Sequence, residues 1–255
     1  MTLAIIQARM GSSRLPEKIL KPLANRPALW HIVNRLTHSK NIDKVVIATT
    51  VDPKDDPVEQ FCADNNIPCY RGSEDDVLDR YYQCAKLYKG DNIIRITGDC
   101  PVIDPVIVDE MMDHYFKEGY DLYGLGGEFP DGLDCTVFNF KTVEQTWNNA
   151  KLPSEREHVC PYMENHPEIF KIGSYKKFKG LSHLRWTLDE ENDYEFLTIV
   201  YDRLYNEDKL FLTKDILDLL QKEPDLLKIN SDIIRNEGYL KSLDKDKNYL
   251  KGLKE

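Results

Sequence analysis

Short, mostly apolar runs alternate with helix-length amphipathic stretches through the first hundred residues, and this alternation leaves few folds open. The runs lie at 3–7, 44–49 (KVVIAT), 67–70 and 92–97 (NIIRIT). Between them, residues 27–38 place Leu29, Ile32, Val33 and Leu36 at helical spacing, 58–65 suggests a second helix, and 76–89 carries Leu78, Tyr81, Tyr82 and Ala85 on one face. Strands separated by helices of this length imply a parallel sheet with right-handed crossovers. Strands that are apolar on both sides imply helices covering both faces.

The pattern changes near residue 120. Strand candidates at 120–125, 135–140, 170–175 and 184–188 are separated by irregular stretches, which predicts an antiparallel excursion over about 120–180. Residues 190–205 form the clearest helix of this half, with Leu197, Val200, Tyr201 and Leu204 at i, i+3, i+4 and i+7. Residues 241–255 are charged, with isolated leucines, and read as a frayed helix or a tail. With no repeat and no linker, one continuous domain over 1–240 is expected.

Charge narrows the function. The 255 residues carry 44 acidic and 34 basic side chains, a net charge of −10. Phosphate backbones are held by excess Lys and Arg, so this balance argues against a nucleic-acid binder. No run approaches the roughly 18 to 20 apolar residues of a membrane helix. The opening MTLAIIQARMG has no basic flank and reads as a strand, so a soluble, cytoplasmic protein without a signal peptide is expected. Six scattered cysteines form no C-x-x-C pair and are expected to be mostly buried and inert, Cys100 included.

Against this acidic background, residues 8–22 (ARMGSSRLPEKILKP) stand out. Directly after a strand, Arg9, Arg14 and Lys18 surround Gly11, Ser12 and Ser13. A glycine lets backbone approach a ligand, and successive loop N–H groups can cradle an anion. Arginine forks match phosphate oxygens, and the lysine adds a point charge. In open α/β sheets ligands sit at the carboxyl ends of the strands, where this loop falls. A surface turn with solvated charges is the bland alternative. Asp99, just past the strand 92–97, lies at the same edge, either as a turn-capping carboxylate or as one that meets triphosphate through a cation. Asp189 opens the helix near 190, where an N-cap role is the bland reading.

GSSRLPEK followed by KPL resembles the opening signature of the nucleotide-sugar cytidylyltransferases, the CMP-acylneuraminate and CMP-Kdo synthetases and their relatives. The motifs GSEDDVLDRYY, RITGDCPVIDP, PDGLD, REHVCPYM and RWTLDEENDYEF follow in the order seen in the spore-coat polysaccharide SpsF-like branch, and together they span about residues 3–200. Thr136 stands where that branch commonly has Glu, and Ile19 where the CMP-sugar synthetases usually have Asn.

The resemblance implies a Rossmann-like three-layer α/β sandwich of the nucleotide-diphospho-sugar transferase type, mainly parallel, with the antiparallel excursion. It implies a single nucleotidyltransferase domain that transfers CMP from CTP to an acidic sugar or similar hydroxylated acceptor, releases pyrophosphate, and serves surface polysaccharide synthesis. Ala8, Arg9, Gly11, Ser12, Ser13, Arg14, Lys18 and Asp99 become nucleotide-binding residues, with Arg14, Lys18 and Asp99 catalytic. Asp99 and Asp189 become ligands of Mg²⁺. Asp193 and Glu195 match later positions of the family's segment on a helix that faces solvent. Asp134, Arg156, His158 and Arg185 are the acceptor-side candidates, with capping or bracing as the other reading of Arg156 and His158. Arg80 is left out, because most isolated arginines are structural. A homodimer is expected, built on exposed aromatics of the excursion such as Phe129, Trp147, Tyr162 and Phe178. Two other functions stay open: a sugar-1-phosphate nucleotidyltransferase, which needs an additional basic pocket, and a non-catalytic nucleotide- or nucleotide-sugar-binding module.

Overall fold

The first strand, β1 (Thr2–Gln7), is buried along nearly its whole length in the computed structural model, which describes residues 1–233 and 237–252. It opens into loop 8–17, a 3-10 turn at Lys18–Leu20 and a small antiparallel pair, β2 (Pro22–Leu23) and β3 (Arg26–Pro27). Helix α1 (Ala28–Leu36) leads to β4 (Lys44–Thr50), and α2 (Asp56–Asp64) leads to β5 (Cys69–Gly72). The Asp76 side chain caps α3 (Val77–Tyr88), which crosses back to β6 (Asn92–Thr97). Asp104 likewise caps α4 (Pro105–Glu118). The second half runs β7 (Leu122–Leu125), β8 (Thr136–Asn139), α5 (Phe140–Asn149), α6 (Pro153–His158), α7 (Pro161–Glu164), β9 (Ile172–Tyr175), α8 (Glu191–Leu204), α9 (Thr213–Lys222) and α10 (Glu237–Gly252).

Seven strands form one sheet in the order β5-β4-β1-β6-β8-β7-β9. The β5, β4, β1 and β6 strands are mutually parallel, β8 is antiparallel to both β6 and β7, and β9 is parallel to β7. This is the expected mainly parallel sandwich with an antiparallel excursion. From β1 the chain builds outward through β4 and β5, then returns to add β6 on the other side of β1. The direction reverses between β1 and β6, and such a switch point opens a crevice at the carboxyl ends of the strands. Gly98 sits at that point. A Cβ there would lie 2.9 Å from the Gln7 carbonyl oxygen and 3.1 Å from Ala8 Cβ, so only glycine lets the two strand ends close up.

One core layer packs α1, α2 and α4 against the sheet, and a second packs α3, α5 and α7 on the opposite face. A third cluster gathers residues 184–188 with α8 and α9 beside the loop. Helix α4 is not among the elements expected from periodicity, although Asp104-Pro105 is a helix start and Ile107, Val108, Met111, Met112 and Tyr115 line its buried side.

Three expectations need correction. Residues 184–188 are not a strand. Arg185 makes a single bridge to Asp131, and the segment is otherwise held by isolated bonds such as Trp186 N to Asp131 O (2.6 Å) and Leu188 N to Asp99 O (2.8 Å). Its neighbour Gly132, at φ +101°, comes so close that a Cβ would meet Thr187 N at 2.5 Å. Nor are residues 241–252 a free tail. They belong to α10, whose buried Asp246 accepts from Ser154 N (2.8 Å) and Ser154 Oγ (2.5 Å) at the start of α6. Residues 253–255 lie outside the described residues.

The four aromatics expected at the surface are also used within the chain. Phe129 is buried, and Phe178 packs on the third cluster. Trp147 stacks on Tyr82 at 4.4 Å and donates Nε1 to Asp79 (2.8 Å), and Tyr162 stacks on His166 at 4.2 Å. Among the described residues no helix is long and apolar enough to cross a membrane.

Candidate active site

The loop after β1 is pinned at both ends. Met10 N donates to Asp55 Oδ1 (2.6 Å), and the buried Asp55 also accepts from Thr50 Oγ1 at the end of β4. Farther along, Ser12 Oγ accepts from Leu15 N (3.3 Å), and Leu15 is fully buried. Between these anchors the backbone N–H groups of Gly11 and Ser13 have no protein partner among the described residues. A cavity of about 290 Å³ opens over this stretch and takes in Ala8, Arg9, Gly11, Ser12, Ser13, Arg14, Lys18, Asp99 and Asp189. Every nucleotide- and metal-side residue expected from the sequence therefore faces one crevice, with Gln7, Thr97 and Gly98 as its floor.

Charges in this crevice are paired across the chain. Lys18 Nζ lies 3.0 Å from Asp99 Oδ2 and 2.8 Å from Asp189 Oδ1. Burial alone would pull the lysine's pKa down, but the two carboxylates win and hold it above its ordinary value. Burial likewise works to raise Asp99, yet Lys18 keeps its carboxyl below the usual range. Arg14 Nη2 also engages Asp189, while its Nη1 reaches Glu190 Oε1 at 3.4 Å. Arg9 is the more open cation, with Glu74 at 3.8 Å and both side chains largely exposed.

Asp189 does not cap α8. Glu190 is the N-cap, and the N–H groups of both Asp189 and Glu190 donate to Asp193 Oδ2. The Asp99 carbonyl accepts from Leu188 N and from Thr187 Oγ1, and this brings the two carboxylates to a common edge. Two converging carboxylates beside open loop N–H groups suit a hard cation that completes its shell with phosphate and water oxygens. No cluster of three or more His, Cys, Asp or Glu able to hold a metal by itself occurs among the described residues. Cys100 next door is buried, and burial together with Asp99 pushes its thiol well above the ordinary value, which suits an inert side chain.

The acceptor-side candidates separate. Arg185, 9% exposed, is spent on a bidentate grip of Asp193 (2.9 Å twice) and a bond to Asp131 (3.0 Å). Asp193, expected to face solvent, is fully buried and forms the hub of this network, with Asn230 Nδ2 completing it at 2.9 Å. Arg185 is thus a brace that sets Asp189. Arg156 lines neither this crevice nor the smaller cavity beside it. It binds Asp76 at the cap of α3 (Nε 2.9 Å) and the Trp147 carbonyl (2.8 Å). Asp134 is half-buried and accepts from Gly132 N (2.9 Å). His158 faces the smaller cavity, which shares only Gln7, Ala8 and Arg9 with the main crevice and also contains Arg80. Arg80 was passed over as an isolated arginine. Nothing local in the sequence marks it, because its distinction is burial without partners.

The comparisons with known proteins point one way. A family model described as cytidylyltransferase matches residues 3–233. The spore coat polysaccharide biosynthesis protein SpsF of Bacillus subtilis is 34% identical over 231 residues, covering 88% of this chain and 95% of that protein. The solved structure of a cytidylyltransferase from Leptospira borgpetersenii matches with a TM-score of 0.85 at 34% identity, over 92% of this chain and 99% of that one. A CMP:2-keto-3-deoxy-manno-octonic acid synthetase solved with CTP shares the fold, with a TM-score of 0.58 at 15% identity, over 79% of this chain and 98% of that one.

Proposed function

The chain belongs to the cytidylyltransferase family, and on that premise we propose that it transfers CMP from CTP to a hydroxyl of an acidic sugar. The observation that carries the reading is the crevice at the β1–β6 switch point, where Arg9, Arg14, Lys18 and open loop N–H groups face Asp99 and Asp189. In the reaction the acceptor oxygen forms a bond to the α-phosphorus while the bond to pyrophosphate breaks, and the hydroxyl's proton is given up to solvent. Gly11 and Ser13 N–H groups and Arg14 hold the phosphate chain, and Lys18 moves from the carboxylates to the departing pyrophosphate oxygens. Catalysis is then positioning and charge neutralisation by groups that are already oriented. Asp99 and Asp189 would hold Mg²⁺, which when bound neutralises phosphate oxygens and lowers the acceptor hydroxyl's pKa.

The acceptor enters on the Asp99 side, where Asp131 and Asp134 offer carboxylates to sugar hydroxyls. An acidic-sugar acceptor and a place in surface polysaccharide synthesis draw on the names of the B. subtilis relative and of the CTP-bound synthetase. Arg185 on that wall is tied to Asp131 and Asp193 and is not open to a phosphorylated acceptor. A homodimer is proposed as the assembly, since closed two-fold pairs are the commonest oligomers.

The test is pyrophosphate release from each of the four NTPs against a panel of 2-keto sugar acids and sugar 1-phosphates, with Mg²⁺ or with EDTA. Release with CTP, a sugar acid and Mg²⁺ is expected. Release that requires a sugar phosphate, or none from any NTP, would overturn the proposal.

A further inference from the structure

A separate cavity of about 160 Å³ lies between α1, the end of α8 and residues 205–211, and it shares no residue with the phosphate crevice. Its walls are rings: Trp30 and His31 on α1, Tyr201 and Tyr205 at the end of α8, and Phe211. His31 stands among them, its ring centroid 4.3 Å from that of Tyr201, 5.2 Å from Trp30 and 5.4 Å from Tyr205. Arg35, one turn along α1, lies over the Phe211 ring at 4.6 Å and fixes that wall by donating Nη2–H to the Phe211 carbonyl (2.7 Å). Asn206 Oδ1 accepts from Asp208 N (2.8 Å) and shapes the turn that forms the exposed rim.

The imidazole is the one deep polar group left over. His31 is 2% exposed, and its Nε2 lies 2.7 Å from the Leu23 carbonyl oxygen, which can only accept, so Nε2 carries the proton. Burial pushes the ring's pKa down to about 4, so near neutral pH the other nitrogen is a bare lone pair. That Nδ1 has no hydrogen-bond partner among the described residues, yet it is not one of the polar atoms closed off from solvent. Its opening is into the ring-walled cavity. A buried acceptor is costly to leave unmade, so an acceptor kept this way at a cavity wall marks a ligand position.

We propose that this cavity is a second ligand site, which takes a nucleoside whose base donates an N–H to His31 Nδ1. The deep part offers ring faces and a single acceptor. A pyranose carries hydroxyls all round and would leave most of them unpaired there, whereas a planar heterocycle buries its faces against rings and needs partners only in its plane. The ribose then lies at the rim, where the Glu207 and Asp208 carboxylates, without ion pairs among the described residues, accept from its hydroxyls. The lining residues also hold backbone on both sides of the phosphate crevice. His31 holds Leu23, just past the loop of Lys18, while Arg35 Nε–H and Tyr201 O–H donate to the carbonyls of Ile103 (2.6 Å) and Pro101 (2.6 Å), in the turn after Asp99. Occupancy is therefore coupled to nucleotide binding in the crevice, reciprocally. The nucleoside site stands whether or not the crevice takes CTP; only the coupling rests on that reading.

The experiment uses the full chain with isotopically labelled histidine. Adenosine, cytidine, purine riboside and methyl glucoside are titrated separately, by calorimetry and by NMR of the ring nitrogens, with the His31 signals assigned from their loss in His31→Phe. Adenosine and cytidine are expected to move the His31 Nδ1 resonance towards that of a protonated nitrogen. Purine riboside, which lacks the amine, should bind about tenfold more weakly than adenosine. Tyr205→Ala should weaken adenosine by about tenfold through lost stacking, with thermal unfolding as its folding control. Binding of neither nucleoside, binding that leaves the His31 resonances unmoved, or a preference for methyl glucoside would overturn the site. CTP affinity is then measured with and without saturating adenosine, and a shift in the wild type that disappears in Tyr205→Ala is expected. No shift, or an equal weakening in both proteins from competition in the crevice, removes the coupling. A chain that binds adenosine at His31 but no CTP refutes the crevice reading and leaves the nucleoside site in place.

Discussion

Replacing Lys18 by methionine tests the charge arrangement of the crevice without any ligand. The side chain keeps its length and apolar stem, and only the ammonium is lost. At 3.0 Å from Asp99, an ion pair at an effective dielectric near 20 has a gross attraction of about 5 kcal/mol. Desolvation of the ammonium offsets much of that, and Asp99 remains 28% exposed, so the net loss on stranding its carboxylate is about 2 kcal/mol. Asp189 keeps Arg14 and is spared. For a chain of this size that loss lowers Tm by about 4 to 8 °C.

The pH dependence carries the diagnosis. In the wild type the Asp99 carboxyl is held below its ordinary value, so its stabilisation is complete above about pH 4 and is lost as pH falls through the folded value. Without Lys18, burial is opposed only by the Thr97 hydroxyl and a backbone N–H, so the carboxyl rises from its wild-type value and the variant relieves its penalty by taking up a proton. The Tm gap is therefore largest near neutral pH, narrows towards about pH 4 as the variant takes up its proton, and closes only as pH falls through the wild-type carboxyl's folded value. Thermal unfolding by circular dichroism in EDTA across that range measures it. Added Mg²⁺ should raise the variant's Tm more than the wild type's, because no ammonium competes for the carboxylates. A gap of the same size at both ends of the range would refute the pairing.

Two further outcomes are expected. Arg14→Ala loses a charge-assisted phosphate contact, about 1.5 to 3 kcal/mol, and should weaken CTP binding by ten- to hundredfold in calorimetry; an unchanged affinity would remove the loop as the triphosphate site. His31 is buried with Nε2 against the Leu23 carbonyl (2.7 Å), and burial pushes its pKa down to about 4. The unfolded chain takes up this proton at a higher pH than the native one, so stability should fall from about pH 6.5 towards pH 4 by up to about 3 kcal/mol. Urea titrations of the wild type and His31→Phe read this as a stability difference that changes between about pH 6.5 and pH 4 and is constant above about pH 7.

How much of the site was legible depended on whether its parts were contiguous. Arg9 to Lys18 lie in one loop after one strand, so residue type and position at a strand end sufficed. Asp99 was legible for the same reason. The tie of Arg185 to Asp131 was not legible, because the two segments meet only through the close approach at Gly132. Asp193 was placed towards solvent because helical periodicity does not show that the helix start is buried under residues 184–188. Arg80 shows the limit of residue statistics. Isolated arginines are mostly structural, and only the burial of Nε and Nη1 without partners distinguishes this one. The parallel half of the sheet was legible from its apolar runs, whereas residues 184–188 have strand composition but no neighbouring ladder.

The pairing of Lys18 with Asp99 and Asp189 has a consequence for the order of events at the crevice. A phosphate chain arriving by itself must draw the ammonium away, and it leaves two carboxylates facing one another. A cation arriving by itself must displace the same ammonium into a loop crowded with arginines. Each ligand thus removes the obstacle to the other. Their affinities are linked by a heterotropic coupling free energy, equal in both directions by thermodynamic necessity. On the proposed assignment, a crevice whose ammonium is held by two carboxylates would admit the metal–nucleotide complex more readily than either component.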